Sequence, residues 1–289
     1  MPGLQAIKKS IHSAENLKAI VSTMKAHASA NINQFQNAAK ASMEYRHVLD
    51  MSLFVVLSEE EEEILTPDEI PKGKALHIVF GSDHGLAGRF NERITAFALE
   101  HISRDTEDKV IVIGQQIVQR LQYDLAIYKT FMQPQSTDNI SSMVNKLLMQ
   151  IDELRAEMPL EKIILYYNKP QDNSIFAEDT ELLFPIDLVE LSKSDVQWAS
   201  KGIPTYFAEK KDIISDLIKQ YFFITLYRAF CFSLASENAS RLMSMQSAEK
   251  NVDKQLEELN FLFRRERQNS ITEELNDIVS GFRATRKSK

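Results

Sequence analysis

LIKQYFFITLYRAFCFSLASENASRLMSMQSAEKNVDKQLEELNFLF, residues 217–263, contains neither glycine nor proline. Stepping by three and four from Leu217 reaches Tyr221, Ile224, Arg228, Cys231, Ala235, Asn238, Leu242, Met245, Glu249, Val252, Leu256, Leu259 and Phe263. All of these are apolar except Arg228, Asn238 and Glu249. An apolar repeat of 3.5 residues sustained over this many turns predicts a helix that buries one seam in a left-handed coiled coil.

The partner is at the other end of the chain. Stepping likewise from Leu4 gives Ile7, Ile11, Ala14, Lys18, Val21, Lys25, Ala28, Ile32, Phe35, Ala39, Ser42, Arg46, Leu49, Leu53 and Val56, where only Lys18, Lys25, Ser42 and Arg46 are polar. Glycine and proline are the costliest residues in a helix interior. The chain has 8 of each, yet residues 4–66 and 205–280 contain none. Pro2, Gly3 and Gly281 lie at the chain ends, and the rest fall between Pro67 and Pro204. Two breaker-free arms therefore enclose a breaker-rich insert. At 1.5 Å per residue the arms reach roughly 80 Å and roughly 100 Å. Helices that long must bury a stripe against each other, and one insert joining them makes them antiparallel. The longer C-terminal arm is expected to project alone at its end.

The insert reads as α/β. Ala75–Phe80, Val110–Ile113 and Ile163–Tyr167 are short apolar runs of the kind found in buried parallel strands. Helical patterns cover residues 91–103, 115–121 and 139–155, and residues 180–184 read as a further strand. This alternation predicts a small parallel, doubly wound sheet. The expected domains are residues 1–62, 63–208 and 209–289.

Composition excludes several function classes. The net charge of −7 argues against general nucleic-acid binding, which needs a phosphate-neutralising surface. One cysteine, Cys231, permits no intrachain disulfide. The longest apolar stretch, Tyr221–Ala235 with Arg228 inside it, is shorter than the roughly 20 residues of a bilayer span. No secretory signal is evident at the N-terminus.

Chemical motifs are sparse. Gly81-Ser82-Asp83-His84-Gly85-Leu86-Ala87-Gly88 joins a strand to a helix, where α/β folds bind phosphate. It lacks the Lys-Ser/Thr of a P-loop and does not match G-x-G-x-x-G, so it reads first as a tight turn. Asp83 and His84 could serve acid–base chemistry, but adjacency on a turn is weak support. The six histidines are scattered without zinc spacing. Glu59–Glu63 is a run of five glutamates, read as a solvated junction or as an acidic patch for a basic partner. Arg264, Arg265 and Arg267 lie where the C-terminal seam weakens, so that stretch is expected to face a partner. Arg283, Arg286, Lys287 and Lys289 suit the negative end of a helix dipole.

Residues 237–251, ENASRLMSMQSAEKN, and 267–275, RQNSITEEL, followed by DIVSG at 277–281, resemble the C-terminal helix of the gamma subunit of F-type ATP synthases. Met24-Lys25 is similar to that family's Met-Lys, and Ser82–Gly88 to its Ser-Asp-x-Gly-Leu-x-Gly loop. The resemblance runs through the chain in order, with residues 105–205 matching mainly in layout. The Ala-His-Ala-Ser-Ala-Asn stretch after Lys25 and the extension past Gly281 depart from the usual pattern. They look more like the alternate, N-type bacterial branch associated with sodium.

The resemblance implies a mixed α+β and α/β fold: a long antiparallel coiled coil of terminal helices around a doubly wound, Rossmann-like insert. It implies a rotor shaft that carries torque between a membrane rotor ring and a catalytic head. The implied partners are the alpha and beta subunits of that head, the epsilon subunit and the ring, with no nucleic acid and no membrane span. Catalysis is expected on the head's beta subunits, so this chain would carry no catalytic residue, metal or cofactor. Localisation would be peripheral, on the cytoplasmic face of the bacterial inner membrane. Matched residue by residue, Met24, Lys25, Arg267, Gln268, Thr272 and Glu274 fall at the family's head-contacting positions, and Ser82, Asp83, Gly85 and Gly88 belong to its α/β-domain loop. A coiled-coil tether, or a nucleotide sensor using the Ser82–Gly88 loop, are the competing readings.

Overall fold

The computed structural model describes residues 3–57, 73–103, 107–171, 174–187, 202 and 204–287, with the side chains of 174 and 282–287 left undescribed. The run Glu59–Glu63, residues 288–289 and the side chains of Arg283, Arg286 and Lys287 lie outside what is described. The N-terminal helix α1 is Leu4–Leu57. It is followed by β1 (Lys74–Phe80), α2 (Phe90–His101), β2 (Lys109–Ile113), α3 (Gln115–Leu121), β3 (Ile127–Phe131), α4 (Thr137–Glu157), β4 (Leu160–Gln171) and β5 (Ser174–Phe184). The C-terminal helix α5 is Lys210–Lys287, 78 residues long.

In α1 every seventh residue from Ile7 is buried: Ile7, Ala14, Val21, Ala28, Phe35, Ser42, Leu49 and Val56. A strict seven-residue period is the pattern that holds a seam in place along a left-handed supercoil. By compactness the chain divides into two units. One is Met1–His27 with Leu242–Lys289, and the other is Ala28–Arg241.

In the first unit the two helical segments run antiparallel. Lys18 pairs with Asp253 at 2.7 Å and Lys25 with Glu249 at 2.5 Å, so numbering rises on one helix as it falls on the other.

The second unit holds the sheet, in the order β3-β2-β1-β4-β5. β1 pairs in parallel with β2 and β4, and β2 pairs in parallel with β3. The sheet is not wholly parallel: β5 returns as an antiparallel hairpin partner of β4. A hairpin needs no crossover helix, which is why the strand–helix alternation stops there. β5 begins at Ser174, earlier than the apolar run at 180–184 suggests, because its first half (SIFAED) is an edge pattern broken by charge. β3, IYKTF, has no fully buried residue and escaped the sequence reading.

Helices cover both faces of the sheet. Val79, Val112 and Tyr166 pack with Ile94, Ala98, Ile117 and Leu121 of α2 and α3. On the other face Leu76, Ile78, Phe80, Leu165 and Tyr167 pack with Val144 and Leu147 of α4, Phe35 and Ala39 of α1, and Leu226, Phe230 and Leu234 of α5. Phe80 meets Phe230 edge to face, with centroids 4.9 Å apart. The terminal helices therefore form part of the sheet's own core. Beyond the sheet, Leu53 and Leu57 of α1 pack against Ile214, Leu217 and Tyr221 of α5.

Candidate functional site

The residues matched at head-contacting positions fall on the antiparallel helices of the first unit. Met24 and Lys25 are half-buried, and the Lys25 ammonium is engaged by Glu249. Arg267, Gln268, Thr272 and Glu274 are exposed. Thr272 Oγ1 donates to the Gln268 carbonyl at 2.9 Å, a bond within its own helix turn. Arg264 and Arg265 are exposed as well, and Arg264 Nε donates to the Asn260 carbonyl.

Among these polar residues lies an apolar stripe that the sequence reading passed over. Ile271, Leu275 and Ile278, at i, i+4 and i+7, share one face of α5 and are 50%, 57% and 69% exposed, with Val279 beside them. An exposed apolar stripe framed by polar residues marks a surface that another molecule covers. Its signal was present in the sequence as helical spacing beyond the reach of the N-terminal arm.

The Ser82–Gly88 loop belongs to the second unit. Its polar groups are spent on holding the fold. Asp83 is buried, and its carboxylate accepts from the Gln115 amide (3.1 Å) and the Gln133 amide (2.8 Å). One side chain thus ties the loop after β1 to the segments after β2 and β3. The Ser82 amide donates to Asn91 Oδ1 at 3.0 Å, Asn91 Nδ2 donates to Ser82 Oγ at 2.7 Å, and Ser82 Oγ donates to the His84 carbonyl at 2.9 Å. His84 is exposed and is not brought to Asp83's carboxylate by any hydrogen bond in the described structure, so the two do not form an acid–base pair. Gly88 takes φ +55°, and Leu86 takes φ +64° with its side chain 63% exposed. A left-handed leucine is unfavourable. Here it presents an apolar tip to the outside of a rigid turn.

In doubly wound sheets the crevice beyond the strands' carboxyl ends is the usual ligand site. Helix α5 occupies that region here. Ser240 Oγ donates to the Ala87 carbonyl at 2.6 Å, and Ser236 Oγ donates to the Asn168 carbonyl at 3.0 Å. Glu237 is buried with Arg241 bonded to it at 2.5 Å. Burial raises the Glu237 carboxyl above its ordinary value, opposed by Arg241 and Gln133 and reinforced by Asp83. An anion entering there would meet Asp83 and Glu237 and find the Ser82 amide already bonded. The geometry does not suit a phosphate. Among the described residues no group of three His, Cys, Asp or Glu is placed to hold a metal ion. None of the described helices is long and apolar enough to cross a membrane.

Comparison with known proteins places these elements in a family. A family model described as ATP synthase matches residues 3–285. This chain belongs to the ATP synthase gamma-chain family. It is 29% identical over 287 residues to the ATP synthase gamma chain of Geotalea uraniireducens (strain Rf4), covering 97% of this chain and 98% of that one. It is 27% identical to the gamma chain of Bacteroides fragilis (strain YCH46), covering 98% and 100%. Among solved structures, a chain of the Euglena gracilis mitochondrial ATP synthase (OSCP/F1/c-ring) superposes with a TM-score of 0.66 at 14% identity, over 99% of this chain and 95% of that one. A chain of the Tetrahymena thermophila mitochondrial ATP synthase (central stalk and c-ring) gives 0.59 at 16%, over 79% and 99%. At such identities these structures speak for the fold.

Proposed function

We propose that the chain is the central rotor shaft of an F-type ion-translocating ATP synthase or ATPase, and that it is a non-catalytic subunit. The observation that carries the reading is the exposed stripe Ile271, Leu275 and Ile278 on α5, flanked by Arg267 and Glu274 in a stretch matched by the family model. A ring of alpha and beta subunits closing round this end would cover the stripe. Met24, Lys25, Arg267, Gln268, Thr272 and Glu274 are the contacts assigned to that head. Ser82, Asp83, Gly85 and Gly88 form the loop of the α/β domain. The arms are residues 1–62 and 209–289, and the insert is 63–208, supported by helices ending at Leu57 and starting at Lys210.

The remaining partners are the epsilon subunit and the membrane rotor ring. The place is the cytoplasmic face of the bacterial inner membrane, peripherally. The sequence after Lys25 and beyond Gly281 supports the alternate, sodium-associated branch. A shaft works by differential contact: a partner shifts a conformational equilibrium only through unequal affinity for its states. An asymmetric helix pair touches three catalytic subunits unequally and biases each differently. Rotation passes that bias round the ring. The plugged crevice disfavours the nucleotide-sensor reading.

The test is co-expression with cognate alpha and beta subunits and membrane sector. Deleting residues 264–289 is expected to weaken ATP-driven ion pumping. Unchanged pumping, or a complex that hydrolyses ATP and pumps without this chain, refutes the shaft and leaves the tether.

A further inference from the structure

Serine and threonine hydroxyls inside helices usually bond back to the carbonyl four residues earlier. In this chain Ser10, Thr23, Ser52 and Thr272, all exposed, do so. Two buried serines of α5 behave otherwise. Ser236 and Ser240 turn their hydroxyls off the helix, to the carbonyls of Asn168 in β4 and Ala87 in the loop after β1. They lie on one i+4 ridge of α5 with Arg228 and Phe232, the kind of ridge by which helices seat on a neighbour. Phe232 stacks on Tyr167 of β4, with centroids 6.3 Å apart and planes at 16°. Arg228 Nη2 bonds Glu181 Oε1 of β5, and Tyr167 donates its hydroxyl to Glu181 Oε2 at 3.0 Å. One ridge is thereby attached to β5, to β4 and to the turn after β1.

Given the rotor reading, the sheet unit must not slip on α5 under torque. The apolar contacts between them are broad but non-directional, so a small rotation of the helix costs them little. Hydrogen bonds weaken steeply with angle and distance. We propose that Arg228, Ser236 and Ser240 are the positioning residues that lock α5 rotationally to the sheet, and that this row of polar pins bears the torque passed between the α/β unit and the helix. The attachments are spread along three turns of helix, so no single pivot remains about which α5 can roll. Ser236 and Ser240 are small enough to let the Asn168 and Ala87 carbonyls reach the helix closely.

The experiment uses the assembled complex, immobilised by its head, with a gold rod attached to the α/β unit and the C-terminal end of α5 cross-linked to the head. The spread of the rod's angle measures torsional stiffness. Pins acting in parallel with the packed core each add stiffness, so the S236A/S240A variant is expected to raise the angular variance of this joint, by about threefold in the limit where the pins carry the whole restoring torque, and to lower ions pumped per ATP. S240T in the S236A background, which restores one hydroxyl, brings the variance part-way back. S52A, which removes a hydroxyl bonded within its own helix, leaves it unchanged. Wild-type variance in S236A/S240A overturns the proposal, as does equal loosening by S52A. If the double variant fails to assemble, the single variants S236A and S240A decide by the same readout. A wild-type complex that never rotates would refute the rotor reading itself, a different result from rotation with unaltered stiffness.

Discussion

Lys25 and Glu249, each an exception in the apolar seam of its own helix, are bonded to each other, with Nζ 2.5 Å from Oε2. Two seemingly independent flaws in the seams are one cross-helix pair. Lys18, another exception, is answered in the same way by Asp253. The pairs belong to the observed stagger but do not by themselves fix it: Glu249, Asp253 and Glu257 recur every four residues, so a shift by one turn would hand at least one lysine to a neighbouring carboxylate.

The Lys25–Glu249 pair is partly exposed, so it stabilises by only about 1 kcal/mol or less, and its removal in full should strengthen the coil. K25L and E249L are each expected to lower the melting temperature of the assembled chain, by leaving one charge unanswered in an apolar seam. The double variant is expected to equal or exceed wild type. Chemical denaturation of the four proteins forms a double-mutant cycle. Additive effects would mean that the pair does not couple.

Gly114, between β2 and α3, takes φ +101°, and a Cβ placed there would sit 2.6 Å from the backbone nitrogen of Ser82. G114A is expected to cost at least about 3 kcal/mol, from backbone strain and from forcing two main-chain segments apart. The Asp83 anchor would move with them. Near-ultraviolet circular dichroism and thermal melts read the loss, and a melt within a degree of wild type contradicts it.

Removing the Asp83 carboxylate is predicted to loosen the same corner by another route. D83A leaves the amides of Gln115 and Gln133 buried without their acceptor, at about 2–4 kcal/mol for the two. Hydrogen exchange should speed up at these two amides first. Unchanged protection there would show that Asp83 is not the tie.

His77 gives the sheet unit a pH dependence. Its ring, on β1, is buried beside Tyr166 of β4, with Nδ1 3.0 Å from the Tyr166 hydroxyl. Nε2 is 3.5 Å from Asp108 Oδ2, too long for a full hydrogen bond. Burial lowers the pKa from 6.5, and Asp108 only partly offsets it. The unfolded chain therefore takes up a proton on His77 at a higher pH than the folded one. Stability is fully present above 6.5 and is lost as pH falls from there through the lower folded value. H77Q is expected to flatten that slope in denaturation curves collected at mildly acidic pH. An identical slope in wild type and variant assigns the acid sensitivity to other groups.

The arms were legible because two signals agreed, the absence of breakers and the 3.5-residue spacing. Although the ends of β4, with Glu161, Lys162, Asn168 and Lys169, lay outside the expected 163–167, β1, β2 and the middle of β4 were legible because central strands carry apolar runs. β3 was not, since IYKTF lies at an edge and carries Lys129 outward. The true length of β5 was hidden by Glu178 and Asp179, charges in an edge strand that mask strand propensity. The loop was visible as a motif, but its work was not. Asp83 and Gln133 are 50 residues apart, and Ser240 and Ala87 are 153 apart. Such partnerships leave no periodic trace in a single sequence. Arg228 looked like a blemish in an apolar run, yet it is answered by Glu181, on a strand 47 positions earlier.

One face of the sheet is sealed by Leu226, Phe230 and Leu234 of α5, and this orders events during synthesis. The last strand is complete at Phe184, while the residues that cover it are still to be made. Translation at roughly 5–20 residues per second leaves an interval on the order of seconds. During it Phe80, Leu165 and Tyr167 lack part of their lid. A nascent chain at this stage offers an oily sheet to any chaperone at the ribosome, and maturation waits on the arrival of the C-terminal helix.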